Sequence, residues 1–408
     1  MKRLTRHVLS WLPLCVLFCS HLHAQDLAQP VFYPEDKADG AWTGKLVRIN
    51  PHLAMLTVRG SAKERGTAHG KLLAKEVAAV TAGVKRHFRG DDHAKVLAGA
   101  KVMRRFIDAD VLEEHDACAE AAGVDKDDLM LVQLFGDAAR GLGVRTFCSI
   151  FAAFGPATKD GTLIVGRNFD YTGLGLEDGL PMILQEIPTG ENAGRPFVTV
   201  VCAGILNGWT AMNADGLVAT NNTLFNGKDR LEGMATCFLL RKIVERAKTV
   251  EEGVKIIEKT PRACTTGMLV AGKNEKGEWD ARFVEFDAES LAVVEPKDGR
   301  VLGTNSRQKL PEGSWKPSGN PTCPRYQNLL GKLKDLNAAL DFDKPEHNVV
   351  AAKGVYMGIN LHCALLDPAG QRFRLAVREG GDKPAAEGKF RLFKIERDGV
   401  SVISDSEK

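Results

Sequence analysis

Apolar residues along this chain recur first at helical and then at strand spacing, and the change falls near residue 147. Upstream, Thr67 to Phe88, Asp91 to Asp108 and Val111 to Ala122 carry Ala, Leu and Val three and four residues apart, and Asp125 with Asp128 opens a further helix through Leu134. Downstream come short strand-like runs: Phe147 to Phe154, Thr162 to Phe169, Met182 to Ile187, Phe197 to Cys202, Gly208 to Met212 and Leu217 to Asn221. Turns such as Asp160-Gly161 and Asn213-Ala-Asp-Gly216 separate them. Two helices, Met234 to Lys248 and Val250 to Lys259, lead to a second set of strands at Met268 to Ala271, Trp279 to Phe286, Leu291 to Val294 and Val301 to Thr304. A helix at Arg325 to Leu336 precedes a last meander of Tyr356 to Leu366, Arg372 to Val377 and Phe390 to Ile395. Strands, a helical pair and more strands predict an α+β fold, with two antiparallel sheets packed together and helices outside.

The two ends read differently. Lys2, Arg3 and Arg6, then apolar Leu9 to Phe18, then Leu22-His23-Ala24 before Gln25 have the order of an export signal, and the apolar run is well short of the roughly 20 residues that span a bilayer. The expected division is therefore a signal peptide at 1–24, a mostly helical segment at 25–147, a catalytic domain at 148–397 and a loose polar tail at 398–408. The processed protein is expected to be secreted or periplasmic, with no stable membrane span. A formal charge of +3 without long single-sign runs excludes nucleic acid as a partner class. Of nine cysteines, Cys15 and Cys19 fall in the signal; the other seven are too irregularly spaced for a disulfide scaffold.

Chemistry concentrates around Cys148. The thiol opens an apolar strand, and Gly166-Arg167-Asn168-Phe169-Asp170 lies on the next one. An ordinary thiol is mostly protonated near neutral pH, so a nucleophilic cysteine needs a cation or a base close by, and Arg167 supplies the first. On a strand Asn168 and Asp170 share a face while Arg167 takes the other, so Asp170 either anchors Arg167 across a bulge or orients an amine. Asn221 and Asn222 end a hairpin, where a side-chain NH2 could donate to a developing oxyanion; Asn213 is read as a turn residue. Thr304-Asn305 closes a strand and Arg325-Tyr326 opens a helix. Gly173-x-Gly175 lacks the rest of a dinucleotide fingerprint, and no His pair has zinc-site spacing, so neither a cofactor nor a metal is expected.

Taken in order, Cys148-Ser149, Asp160-Gly161, Gly166-Arg167-Asn168-Phe169-Asp170, Met212-Asn213-x-x-Gly216-Leu217 with Asn221-Asn222, Thr304-Asn305 and Arg325-Tyr326 resemble the N-terminal-nucleophile hydrolases. The likeness is greatest to the isopenicillin-N acyltransferase branch, related to choloylglycine hydrolases and acid ceramidase. Arg59-Gly60-x-x-x-Glu64-Arg65-Gly66-x-x-His69-Gly70 is similar to the opening of that branch. The resemblance implies an αββα four-layer sandwich, cleavage before Cys148, and a small-molecule amide substrate. It also implies roles: Cys148 as N-terminal nucleophile, Arg167 beside the thiolate, Asp170 on the amine, Asn222 or Asn221 in the oxyanion hole, and Asn305 with Arg325 supporting them. Phe147 stands where the acyltransferase has Gly, and Ser306 where relatives often carry His.

Two rivals come from other classes. A cysteine hydrolase with a His base would use His362 or His69, and a binding protein for an acylated ligand would need no nucleophile. His69, flanked by Ala and Gly, is read as a structural residue at a helix start. The substrate pocket is assigned to the loops Thr172 to Pro181 and Asn226 to Gly233.

Overall fold

The computed structural model describes residues 29–34, 42–142, 146–173, 176, 179–191, 193–310, 323–336 and 339–407. The expected signal peptide lies outside them. Strands β1 (Val31–Tyr33), β2 (Gly44–Asn50) and β3 (Leu53–Gly60) come first, then helices α1 (Ala62–Leu72), α2 (Ala74–His87), α3 (Asp91–Arg104), α4 (Ala109–Ala122) and α5 (Lys126–Ala138). The strands β4 (Thr146–Ala153), β5 (Ile164–Tyr171), β6 (Pro181–Pro188), β7 (Phe197–Cys202), β8 (Thr210–Asn213) and β9 (Val218–Thr223) follow. Helices α6 (Thr236–Arg246) and α7 (Val250–Lys259) precede β10 (Thr266–Lys273), β11 (Trp279–Phe286), β12 (Leu291–Val294) and β13 (Arg300–Gly303). Last come α8 (Pro324–Asp335), β14 (Asn360–Asp367), β15 (Arg372–Val377), β16 (Phe390–Glu396) and β17 (Gly399–Glu407).

These strands form two sheets, one of ten in the order β1-β2-β3-β6-β7-β8-β9-β10-β11-β12 and one of seven in the order β13-β4-β5-β14-β15-β16-β17. Every pairing is antiparallel except β3 with β6. Alternate residues of both sheets meet in one apolar layer: Met55, Ile183, Val200, Leu269 and Phe283 from the larger face Ile150, Ala152, Val165, Phe373 and Leu375 from the smaller. Outside the larger sheet, Phe238, Leu239, Ile243 and Ile257 of α6 and α7 cover Ala219, Val270 and Phe286. Outside the smaller, Leu329 and Leu333 of α8, with Val349 and Val350 from a short helical turn, cover Phe151, Ala153 and Leu365. The result is the expected four-layer αββα sandwich with helices N-terminal to it.

Three expectations need correction. The segment before Cys148 is mostly helical, but it also supplies β1, β2 and β3; apolar residues at nearly every position of β3 reflect burial on both faces, a pattern that periodicity does not separate from helix. The tail expected to be loose is β17, which pairs with β16 from Gly399 to Glu407. The tight Asp160-Gly161 turn is one corner of a longer connection over 154–163, in which Asp160 Oδ1 accepts from Thr162 N and Oγ1 and Gly161 takes a φ of 76°.

The Arg59-to-Gly70 stretch has a physical reading. Ser61 and Glu64 form a reciprocal capping box that starts α1. Gly66 and Gly70 face α4 so closely that an added Cβ would lie 2.0 Å from Glu114 O and 2.4 Å from Cys118 O. That approach brings Arg65 of α1 and Glu114 of α4 into a buried ionic cluster with Glu186 of β6 and Arg241 and Glu245 of α6. Arg65 reaches Glu114 at 2.6 Å and Glu186 at 3.1 Å; Arg241 reaches Glu114 at 2.7 Å, Glu186 at 2.9 Å and Glu245 at 3.0 Å. Two cations serve three carboxylates: burial pushes Glu186 and Glu245 above the usual carboxylate range, while Arg241 and Arg65 hold Glu114 well below it despite its own burial. His69, inside α1 and buried rather than at the helix start, accepts from Gly204 N at 3.0 Å.

Removing one partner of such a cluster strands charge in a dry interior. Arg241→Met should lower unfolding stability by about 3–5 kcal/mol in urea titrations. Glu186→Gln, which mimics the protonated acid, should cost far less; equal losses would mean that Glu186 is ionised in the fold.

Candidate active site

The site begins with a register. β4 pairs with β5 so that Cys148 lies opposite Phe169 and Ile150 opposite Arg167, while Phe147 lies opposite Asp170 and Ser149 opposite Asn168. Directly opposed residues share a face, so the Cys148 thiol and the Arg167 guanidinium project together toward the larger sheet, and Asp170 points to the other side with Asn168. Cys148, Arg167 and Asp170 are all at most 1% exposed.

Across the gap stands β9. Arg167 Nη1 donates to Asn221 O and to Asn222 Oδ1, the latter at 2.9 Å. Asn222 Nδ2, together with Arg167 Nε and Nη2, is buried without a hydrogen-bond partner among the described residues. Three aimed donors thus lie on the thiol's side of the strand. Asn221 contributes its carbonyl here, and its half-buried side chain lines a small cavity.

The backbone of Cys148 is gripped separately. β13 pairs with β4 so that Gly303 opposes Ile150, which carries Asn305 two residues on to a place opposite Cys148. Asn305 Oδ1 accepts from Cys148 N at 2.9 Å, and its Nδ2 donates to Thr146 O at 3.2 Å and to Thr223 O at 2.7 Å. One amide side chain therefore holds the two backbone groups that flank Phe147 on this edge of β4, Thr146 O and Cys148 N. Arg325 Nη1 donates to Cys148 O at 2.8 Å and Nη2 to Asn305 Oδ1 at 2.8 Å, and the guanidinium lies 5.8 Å from the Phe147 ring. Arg325 sits in the first turn of α8, behind Pro324, where the helix dipole disfavours a cation; these bonds are what hold it there.

Asp170 does not pair with Arg167. Its Oδ1 accepts from Asn360 Nδ2 at 2.8 Å and Met357 N at 3.3 Å, and its Oδ2 lies 3.5 Å from Arg325 Nη1. Burial pushes the Asp170 carboxyl above its ordinary range, against the pull of the Asn360 hydrogen bond and the Arg325 charge. Burial likewise pushes the Cys148 thiol up, Arg167 and Arg325 opposing it and the Asp170 charge adding to it. In the uncut chain this sulfur is a neutral thiol.

Phe169, opposite Cys148, lines a cavity of about 50 Å³ whose walls also include Thr146, Tyr171, Trp209, Asn221 and Thr223, closed by Gln133, Gly136, Asp137 and Arg140 of the α5 region. Tyr171, Leu176 and Trp209 separate it from a second pocket of about 520 Å³, whose apolar wall includes Val200, Leu361 and Val377 and whose rim carries His52, Arg378 and Asp382. The expected loop from Thr172 to Pro181 supplies Thr172, Gly173, Leu176, Gly179 and Pro181 to this pocket. Asn226 to Gly233 lines neither; Asn226 is tied instead to Asp287 and Thr265.

The histidines are placed elsewhere. His362 is in register with Phe169 on the side of β5 away from β4, two strand spacings or about 9–10 Å from Cys148, and its Nε2 lies 2.8 Å from Thr210 Oγ1. Burial pushes its pKa well down. His69 is occupied with Gly204. Asn213 is the turn residue expected, accepting from Asp215 N and Leu217 N and donating to Val244 O and Ala247 O. The seven cysteines are free thiols, and among the described residues no group of three or more His, Cys, Asp or Glu is arranged around a metal site.

A sequence profile of the acyl-coenzyme A:6-aminopenicillanic acid acyl-transferase family matches residues 157–382, more than half of the chain. The chain belongs to that family. The match begins just downstream of Cys148 and takes in Arg167, Asp170, Asn221, Asn222, Asn305 and Arg325. Among curated proteins, this acyl-transferase family member is 22% identical over 341 residues to an uncharacterized protein of Archaeoglobus fulgidus, covering 71% of this chain and 56% of that one. It is 22% identical over 289 residues to protein dcd1A of Dictyostelium discoideum, covering 62% and 63%. The chain thus spans less than two thirds of the length of these relatives. Among solved structures it is similar to a Caenorhabditis elegans N-acylethanolamine-hydrolyzing acid amidase ortholog, with 18% identity, TM-score 0.41 and coverage of 54% of this chain and 93% of that one. Penicillin V acylase from Agrobacterium tumefaciens gives 11% identity, TM-score 0.38 and coverage of 64% and 99%.

A buried, neutral thiol reacts slowly. In uncut protein, iodoacetamide near neutral pH should label the half-buried Cys323 before Cys148, as read by peptide mass spectrometry; the reverse order would show that Arg167 outweighs burial.

Proposed function

We propose that the protein is an exported amidohydrolase or acyltransferase whose nucleophile is Cys148, made the head of a new chain by cleavage of the Phe147–Cys148 peptide. The observation that carries this reading is the hold of Asn305 on Cys148 N and Thr146 O next to that peptide, with the sulfur on the same face as Arg167 and toward Asn222. These contacts and the β5 ladder fix the backbone around Phe147–Cys148, so the sulfur and the peptide keep one relative geometry. Cleavage exposes an α-amine with a pKa near 8, able to take the thiol proton.

The steps follow from the placement. The Cys148 sulfur adds to the substrate's amide carbonyl as its proton passes to the α-amine, and the carbonyl oxygen becomes an oxyanion facing the unpartnered Asn222 Nδ2. Arg167 favours the thiolate by charge. The tetrahedral adduct collapses with breakage of the C–N bond; the amine leaves with the proton returned from the α-ammonium, and a thioester to Cys148 remains. Water, or a second amine, then attacks the thioester, its proton passes to the α-amine, and the thiol is restored. Asp170, across the ladder from Phe147, would accept from the α-ammonium, while Arg325 and Asn305 hold the Cys148 backbone. The 520 Å³ pocket is the proposed seat of an apolar acyl group, reached past Tyr171 and Trp209. His362, two strand spacings from the sulfur, and His69, bound to Gly204 N, are both placed away from it, which disfavours a His-base mechanism.

Terminal sequencing of purified protein should find a chain that starts at Cys148. Cys148→Ala should stay uncut and lose amide turnover; full turnover by that variant would overturn the reading. Asn222→Leu should lower kcat by about 10²–10³ with little change in KM, the pattern of a donor used mainly in the transition state. In the processed enzyme kcat/KM should rise as pH climbs through the α-amine pKa, near 8, because only the neutral amine accepts the proton.

A further inference from the structure

We propose that Asn360 is a positioning residue of the site, holding the Asp170 carboxylate in place through a single fixed donation. The inference rests on the reading of Asp170 as the partner of the Cys148 amine. Asn360 begins β14, directly opposite Asp170 on β5, and a register shift between Asn360 and His362 frees it from regular alternation. Its side chain is fully buried.

An amide can face either way, and here the surroundings choose. Ala386 N, from a short turn over 385–387, donates to Asn360 Oδ1 at 2.9 Å, and a backbone N–H accepts nothing, so the oxygen must point to it. The NH2 group is thereby turned to Asp170 Oδ1 at 2.8 Å and His362 O at 3.1 Å, and those two acceptors use both of its hydrogens. Asn168 Oδ1, at 3.4 Å, is the weakest contact. Asn168 is itself committed, donating to Ser149 Oγ at 3.0 Å and Val350 O at 2.8 Å. The carboxylate is thus pinned at Oδ1 by Asn360 and Met357 N, which leaves Oδ2 turned to Arg325.

A donor on a buried carboxylate also sets when it ionises. The charged and titratable groups around Asp170 are Arg325 on α8, Arg167 on its own strand, Cys148 on β4 and Cys363 on β14. Burial raises the carboxyl and the Asn360 hydrogen bond is the largest effect opposing it, so loss of the donor raises it further. The Asp170 charge in turn disfavours the Cys148 thiolate, so the pH profile of thiol reactivity carries an inflection where Asp170 ionises.

That inflection can be read with dipyridyl disulfide, its reaction followed at the Cys148 peptide by mass spectrometry because the other free thiols also react; the reagent works in acid as well as neutral solution and needs no amide substrate. Asn360→Ser should move it up by about one pH unit. Asn360→Asp, equal in size but placing a second carboxylate against the first, should move it further. A folded variant of either kind, verified by circular dichroism, with an unmoved inflection would overturn the proposal. So would failure of both variants to fold, which would make the role purely structural. Cys148→Ala assayed for amide turnover reports separately on the reading of the site, so either conclusion can fall without the other.

Discussion

The site depends on how β4 is set against β5. With Cys148 opposite Phe169, the sulfur shares a face with Arg167 and looks toward Asn222, while Asp170 is delivered to the far side beside the Phe147–Cys148 backbone. A slip of one residue would turn the thiol onto the wrong face and leave the guanidinium buried with nothing to serve. Both strands are locked against that slip: β13 fixes β4 from one side, β14 fixes β5 from the other, and Ile150, Ala152 and Val165 belong to the layer between the sheets.

That arrangement divides labour by face. The side toward the larger sheet holds the sulfur and the unpartnered donors; the other holds Asp170, Asn168, Ser149 and Asn360 in a network with few free hydrogens. The first face can receive a substrate, while the second is committed to itself. This is the physical sense in which Arg167 and Asp170, three residues apart, need not touch.

Much of this was legible in the chain. Short apolar runs bounded by turn residues marked β4 to β11 within a few residues. The thiol, Arg167 and Asp170 stood out in the residues themselves and Asn305 and Arg325 through the family resemblance, and all five lie together. What the sequence left open was which way side chains point: Asn221 and Asn222 are neighbours in every linear description, and only the position of β9 separates the side chain on the cavity wall from the one that accepts from Arg167. β3 was missed because burial on both faces erases alternation, and β17 because its polar residues, such as Ser401 and Ser404, hide a strand at a sheet edge. Asn360 carries no local signal at all; its meaning arises from Ala386 and Asp170, both distant in sequence.

The parallel contact of β3 with β6 has a topological result. β3 precedes Cys148 and β6 follows it, yet they are adjacent rungs of one sheet, and the ionic cluster rivets α1 and α4 to β6 and α6 just outside. A nick between residues 147 and 148 would divide the polypeptide without dividing the body: β1, β2 and β3 would remain one flank of the ten-stranded sheet, joined to the downstream length along the β3–β6 seam and by the charges just outside it.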